Sequence, residues 1–295
     1  MQFTPSDRPS IRAILAETEA LLAGGPHPER SRRDAEALLL NVLRKDAPAT
    51  NQAWLIAHPD EYPGSEGVAR FRALVKRRCA GEPIQYITGE TEFYGLAFHV
   101  NRDVLIPRPE TEHLVEKAIA FARGLARPRI LDVGTGSGAI AIALAVNLPA
   151  AQIIATEISA PALVVARRNA ERHGVADCVH FLEGDLLSSV AGQQFDLIVS
   201  NPPYVAQADR DSLSAEVRDF EPAQALFAGG DGLDLYRRLI PAAFGPLVSG
   251  GFVVLEIGYG QQVAIEKLLC DAGFENAEFT PDLQGIPRVV SAQRP

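Results

Sequence analysis

The 295-residue chain has few cysteines and histidines, no long apolar run and no excess of basic charge, and each shortage excludes a class of protein. Its three cysteines, Cys79, Cys178 and Cys270, are odd in number, far apart and never in a C-x-x-C pair. That excludes a disulfide framework or a zinc cluster and points to a reducing cytoplasm. The six histidines show neither H-x-x-x-H nor H-E-x-x-H spacing, so a single one such as His113 reads as an ordinary surface or core residue and no metal is expected. Met1 to Pro9 is polar and lacks the apolar core of a signal peptide, and the longest apolar run, Ala139 to Leu148, is about half a membrane span. A cytoplasmic protein with no membrane partner is expected.

Basic charge is also scarce where it would matter. Lys and Arg number 28 against 37 Asp and Glu, a net charge of -9. The first 88 residues are nearly balanced, with 12 basic and 11 acidic groups, so the rest carries almost all of the negative charge. Such a region repels a phosphate backbone, which argues against direct nucleic-acid binding. The only short basic run, Lys76-Arg77-Arg78, reads as a solvated helix face.

What is present is a globular composition, 47% hydrophobic and 22% charged, with ample material for a core. Ala35, Leu38, Leu39, Val42 and Leu43 recur at helical spacing after Ser31, a candidate N-cap. Val68, Phe71, Leu74, Val75 and Cys79 repeat the stripe, and Ile11 to Leu22 forms another before Gly24-Gly25-Pro26. Residues 1–85 therefore read as a small helical bundle. From Ile84 the pattern changes to short alternating segments, Ile84 to Thr88 and Glu92 to Val100, which predict a β-hairpin linker over 86–106.

The remainder, 107–295, opens on a helix through Leu114, Val115, Ala118, Ile119 and Ala122. Strand-like runs then alternate with helix-like ones: Arg129 to Val133, Gln152 to Glu157, Cys178 to Leu182, Phe195 to Ser200, Phe252 to Ile257, Glu278 to Thr280 and Arg288 to Ala292. One intervening helix is expected over Leu233 to Val248. Seven strands with interleaved helices predict an α/β, mostly parallel, doubly wound sheet that binds ligands at the carboxyl ends of its strands.

Two sites stand at such ends. The first strand runs into Gly134-Thr135-Gly136-Ser137-Gly138 before an apolar helix, a loop in which glycines permit tight turning and close approach of a ligand to the backbone. Gly134, Gly136 and Ala139 also satisfy a dinucleotide pattern, so a nicotinamide enzyme stays open on this loop alone. Glu157, about 20 residues on, is placed to accept from ribose hydroxyls, and Asp185 from an adenine amino group. After the fourth strand comes Asn201-Pro202-Pro203-Tyr204. The prolines fix φ and remove backbone donors, so this stiff loop presents acceptors. Asn201 and the Pro202 carbonyl can orient a planar NH2 for methylation while Tyr204 walls it, with no strong general base required.

Beyond these, the chain resembles the HemK or PrmC type of protein-(glutamine-N5) methyltransferase. The resemblance rests on Gly81-Glu82-Pro83-Ile84, Thr88-Gly89, Glu92-Phe93-Tyr94-Gly95, Leu105-Ile106-Pro107-Arg108-Pro109-Glu110-Thr111-Glu112, the glycine loop and Asn201-Pro202-Pro203-Tyr204. Phe220-Glu221-Pro222, Ala225-Leu226, Gly229-Gly230-Asp231-Gly232-Leu233 and Leu255-Glu256-Ile257-Gly258 add to it. It implies a seven-stranded Rossmann-like class I methyltransferase domain. S-adenosylmethionine would be bound by Gly134 to Gly138 and Glu157, with S-adenosylhomocysteine as product. It implies that Asn201 bridges cofactor and substrate, that Asn201 to Tyr204 cradle the glutamine, and that peptide-chain release factors, gripped in part by the helical bundle, are the substrates. Leu186 stands where some members carry an aromatic beside the adenine. A DNA adenine-N6 methyltransferase would share the Asn-Pro-Pro-Tyr loop, but base flipping would call for a recognition region and a basic face that this chain lacks.

Overall fold

The computed structural model describes residues 8–295; residues 1–7, read above for the missing signal core and within the expected first domain, lie outside the described residues. The chain divides into two compact units. The first runs to Gly89 and also takes in Ser214–Phe220. It contains α1 (Ile11–Leu22), α2 (Ser31–Asp46), α3 (Gln52–Ala57), α4 (Ser65–Cys79) and α5 (Ile84–Thr88). Ser10 and Asn51 cap α1 and α3 by accepting from the backbone amides of Ala13 and Trp54. Ser31 does not cap α2: a 3-10 turn over Pro28–Arg30 leads directly into the helix, so Ser31 already has helical φ and ψ and is buried. The apolar stripes of α1, α2 and α4 meet in one core around Leu38, Leu39, Phe71 and Val75.

Ile84 to Thr88, expected as extended, is helical. Pro83, with φ of -53°, starts the turn, the Thr88 hydroxyl donates back to the Ile84 carbonyl, and Gly89 closes it in the left-handed region at φ 81°. Five residues are too few for periodicity to separate helix from strand, and the flanking Pro and Gly decided it.

The second unit comprises Glu90–Leu213 and Glu221–Pro295. It opens with the antiparallel hairpin β1 (Glu90–Phe93) and β2 (Leu96–His99), turned by Tyr94 and Gly95, both at positive φ. After α6 (Glu112–Ala122) come β3 (Arg129–Val133), α7 (Ala139–Asn147), β4 (Gln152–Glu157), α8 (Ala160–Arg172), β5 (Val179–Glu183) and β6 (Phe195–Ser200). The chain then supplies α9 (Ala215–Phe220) to the first unit and returns for α10 (Asp234–Phe244), β7 (Leu247–Glu256), α11 (Gln262–Asp271), β8 (Glu275–Pro281) and β9 (Pro287–Gln293).

The sheet order is β5-β4-β3-β6-β7-β9-β8, parallel through β7, with β9 antiparallel to both its neighbours. This is the doubly wound seven-stranded architecture expected. Alternate residues along a strand enter different cores: Ile130 and Leu197 pack with α6 and α7, whereas Leu131 and Ile198 pack with α10 and α11. The helix expected to reach Val248 stops at Phe244, because Gly245-Pro246 breaks it and β7 begins at Leu247.

Within the first unit, the basic run of α4 is a solvated face only in part: Lys76 and Arg77 are exposed, whereas Arg78 turns inward. Arg77 pairs through both Nε and a terminal nitrogen with Glu82, each at 2.8 Å. Arg78 is 2% exposed, donating to Asp34 at 2.6 Å and to Glu216 of α9. A buried guanidinium persists only where carboxylates and carbonyls satisfy it, and the Glu82 carbonyl supplies a further acceptor at 3.0 Å.

Candidate active site

Strand register assembles the site. Val133 is paired with Ser200 on one side and Thr156 on the other, so Gly134, Asn201 and Glu157 leave the sheet as neighbours at its carboxyl edge. Pairing of Glu157 with Glu183 brings Gly184 and Asp185 to the same edge. The Ser200 hydroxyl donates to the Val133 carbonyl at 2.6 Å and pins the two central strand ends together. Because β4 and β6 flank β3 on opposite sides, the crevice here is the topological switch point of the sheet.

A cavity of about 540 Å³ opens at this point. It is lined by Gly134, Thr135, Gly136, Ser137, Glu157, Asp185, Leu186, Asn201, Pro202 and Pro203, together with Val104, Thr111 and Pro222–Ala225 among others. Its size suits a nucleoside-sized ligand. Gly134 and Gly136, at φ 75° and 56°, have open space where a Cβ would project, so a ligand can lie against the loop. Both Glu157 oxygens are oriented by backbone donors, Oε2 by Gly136 N–H at 2.9 Å and Oε1 by Ser159 N–H at 3.0 Å. Two predicted residues stand apart from the cavity wall. Gly138 caps α7, and a Cβ on it would meet Ile142 at 2.8 Å and Ala166 at 3.3 Å. Tyr204 is directed instead toward Glu256.

Beneath the loop, the Thr135 hydroxyl donates to Asp132 at 2.6 Å. Complete burial pushes the Asp132 carboxyl up to about 7, against the lowering effect of that hydrogen bond. Asn169, fully buried on α8, donates to the Ser137 carbonyl at 2.9 Å and exchanges hydrogen bonds with the His99 backbone, tying loop to hairpin. Asp185 accepts from Arg238, and Leu186 follows it at φ 53°, a conformation rare outside glycine.

Around Asn201 the polar groups form a directed chain. Asn201 Nδ2 donates to Thr111 Oγ1 at 3.1 Å, and Thr111 Oγ1 donates to Glu256 Oε2 at 2.6 Å. Tyr204 donates to Glu256 Oε1 at 3.3 Å, and Tyr236 donates to the Glu256 backbone carbonyl at 2.7 Å. Burial raises the Glu256 carboxyl to about 7, and burial together with the Glu256 charge raises the Tyr204 phenol. Arg108 reaches the buried Glu221 at 2.6 Å and anchors the start of the Pro222–Ala225 wall. An oriented amide beside rigid carbonyls, in a cleft sized for a nucleoside, can hold a planar NH2 against a bound cofactor.

The family description "Methyltransferase small domain" matches residues 112–255, and "PrmC N-terminal domain" matches residues 13–89. The release factor glutamine methyltransferase of Koribacter versatilis is 44% identical, with 92% of this chain and 94% of the relative covered. That of Geobacter sulfurreducens is 43% identical, with 96% of each chain covered. The chain belongs to the release factor glutamine methyltransferase family. Fold similarity extends further. The hMettl16 catalytic domain bound to a MAT2A 3'UTR hairpin is 17% identical at a TM-score of 0.57, over 85% of this chain and 94% of that one. The T. thermophilus 16S rRNA methyltransferase RsmC, in complex with AdoMet and guanosine, is 19% identical at a TM-score of 0.54, over 70% of this chain and 50% of that one.

The family assignment fixes the enzyme class as a methyltransferase and disfavours the DNA-adenine alternative. Among the described residues no group of histidines, cysteines and carboxylates could hold a metal, and no helix is long and apolar enough to cross a membrane. Thr111, Glu256 and Asn169 were not predicted as site residues from the residues themselves. Thr111 and Glu256 lay inside motifs that carried the family resemblance, but only the fold joins residues 145 positions apart. Asn169 gave no signal, being one polar residue on an amphipathic helix.

Proposed function

We propose that this chain transfers a methyl group from S-adenosylmethionine to the side-chain amide nitrogen of the glutamine in the Gly-Gly-Gln motif of peptide-chain release factors, in the cytoplasm. The observation that carries the reading is the fixed Asn201 amide, whose NH2 is committed to Thr111 so that its oxygen is left for a substrate NH2. The bound sulfonium would supply an electrophilic methyl group. Gly134 to Ser137 would accept the cofactor against the backbone, Glu157 would receive its ribose hydroxyls, and Asp185 and Leu186 would border its base. Gly138 would serve that site indirectly, through the packing of α7.

An amide nitrogen is a weak nucleophile because its lone pair is delocalised. Acceptance of its two N–H groups by Asn201 Oδ1 and the Pro202 carbonyl would aim the lone pair and favour pyramidalisation. Pro203 would stiffen the cradle. Tyr204, hydrogen-bonded to Glu256 away from the cavity wall, would hold the loop's far end rather than wall the planar group. Alkylation leaves a cationic nitrogen with two strongly acidic N–H groups, one of which passes its proton to solvent without a dedicated base to give the neutral N-methyl amide. In the same reading, residues 1–85 help to grip the release factor, and the segment 86–106, whose hairpin is formed by Glu90–Phe93 and Leu96–His99, joins that domain to the catalytic one at 107–295.

The test supplies labelled S-adenosylmethionine with a release factor, with its Gly-Gly-Gln Gln→Ala variant, or with adenine-containing DNA. Label is expected only on the unmodified factor; label on DNA alone would overturn the assignment. Asn201→Ala should lose about 100- to 1000-fold in kcat while cofactor affinity stays within a few fold.

A further inference from the structure

The hydrogen-bond chain behind Asn201 has a direction, and its direction is set by Glu256. An ionised carboxylate only accepts, so it draws the Thr111 hydroxyl hydrogen and the Tyr204 phenol hydrogen to its two oxygens. With its single hydrogen given away, Thr111 Oγ1 can only accept from Asn201. The Asn201 amide must then present NH2 to Thr111 and its oxygen on the opposite side. Thr111 lines the cavity, while Glu256 is 2% exposed and lies behind it, so neither position needs to touch the reacting atoms for this to hold.

We propose that Thr111 and Glu256 are positioning residues for methyl transfer: together they lock the Asn201 amide with its oxygen toward the substrate nitrogen. This rests on the glutamine-amide reading above. A protonated Glu256 could donate to Thr111 instead, freeing the Thr111 hydrogen to point at Asn201 and letting the amide turn. Its NH2 would then face the substrate NH2, donor against donor, and orientation would be lost.

The groups that face Glu256 are Thr111 and Glu110 ahead of α6, Tyr204 after β6, Tyr236 on α10 and Arg288 on β9. Glu110 favours the protonated form, whereas Arg288 and the two side-chain hydrogen bonds favour the ion; burial outweighs these and leaves the midpoint near 7. The Asp132 carboxyl under the glycine loop lies in the same range. A turnover profile alone would therefore not separate the two, and the Asn201 amide itself must be read.

The experiment labels asparagine side-chain amides with 15N in the full-length, ligand-free protein and assigns Asn201 by the loss of its signals in Asn201→Ala. The Asn201 NH2 signals should move with pH around a single midpoint near 7 in the wild type and in Thr111→Ser. They should be insensitive to pH in Thr111→Val and Glu256→Gln. In parallel, with saturating cofactor at pH 8, Thr111→Val should lower kcat about 30-fold, with KM for the release factor and cofactor Kd within about threefold, and Thr111→Ser should restore kcat to within about threefold. A wild-type Asn201 signal that ignores pH, or Thr111→Val with wild-type kcat, overturns the inference. Failure of the wild type to label any release factor overturns the substrate reading instead, and the amide titration still decides the lock.

Discussion

Alanine at Gly138 and alanine at Gly136 should separate two jobs that the glycine loop performs. At Gly138 the backbone sits at φ 83°, where an L residue costs about 1–2 kcal/mol. The added methyl would also stand 2.8 Å from Ile142 Cδ1 and 3.3 and 3.4 Å from the Cβ and Cα of Ala166. Ile142 can swing its terminal carbon, but the Ala166 backbone of α8 cannot, so overpacking adds about 1–3 kcal/mol. The expected loss is about 2–5 kcal/mol, a large fraction of the stability of an ordinary domain. At Gly136 the φ of 56° carries the same backbone cost of about 1–2 kcal/mol, but the methyl meets nothing within 4 Å and stands at the cavity wall. Urea unfolding of both variants, with S-adenosylmethionine affinity by calorimetry, provides the assay. Gly138→Ala should lose the stability, and its folded fraction should retain affinity within a few fold. Gly136→Ala should lose about tenfold in affinity with the smaller destabilisation. Equal unfolding free energies, or an unchanged affinity in Gly136→Ala, would refute the assignment of packing to one glycine and ligand approach to the other.

Other consequences are equally direct. Burial raises Asp132 from 3.8 to about 7 in the folded protein, so the stability associated with its protonated form is complete below about pH 4 and lost as pH rises through 7. Asp132→Asn should therefore raise the unfolding free energy by up to about 4 kcal/mol at pH 8 and very little at pH 4, measured by urea titration at both; a pH-independent change would refute this. Arg78→Met removes the guanidinium between Asp34 and Glu216 and should destabilise the helical unit by about 3–5 kcal/mol. Hydrogen exchange would show the loss as faster exchange in α2 and α4, and unchanged protection there would count against a structural role for this arginine.

Much of the molecule was legible without coordinates. The spacing of Leu38, Leu39 and Val42 set a helical core, and the rhythm of strands from Arg129 to Ser200 set a parallel sheet, because burial of one stripe leaves a helical period and burial of both strand faces leaves a short continuous apolar run. Short elements left no such period. The helices Gln52–Ala57, Ile84–Thr88 and Ala215–Phe220 were missed, since each is six residues or fewer and owes its state to caps or tertiary neighbours.

The residues that follow the strand ends can be read along the chain: a glycine loop after β3, Glu157 at the end of β4, and Asn201-Pro202-Pro203-Tyr204 after β6. Local chemistry suffices there, because glycine, proline and the polar residue at a strand end constrain the backbone where they stand. What each residue faces is a property of the folded molecule. Packing sets Gly138 against Ile142 and Ala166, buries Arg78 among carboxylates, and joins Asn201 to Glu256 through Thr111. Those roles depend on hydrogen-bond direction and on contacts between residues distant in the chain, and strand register, which no single segment encodes, brings them together.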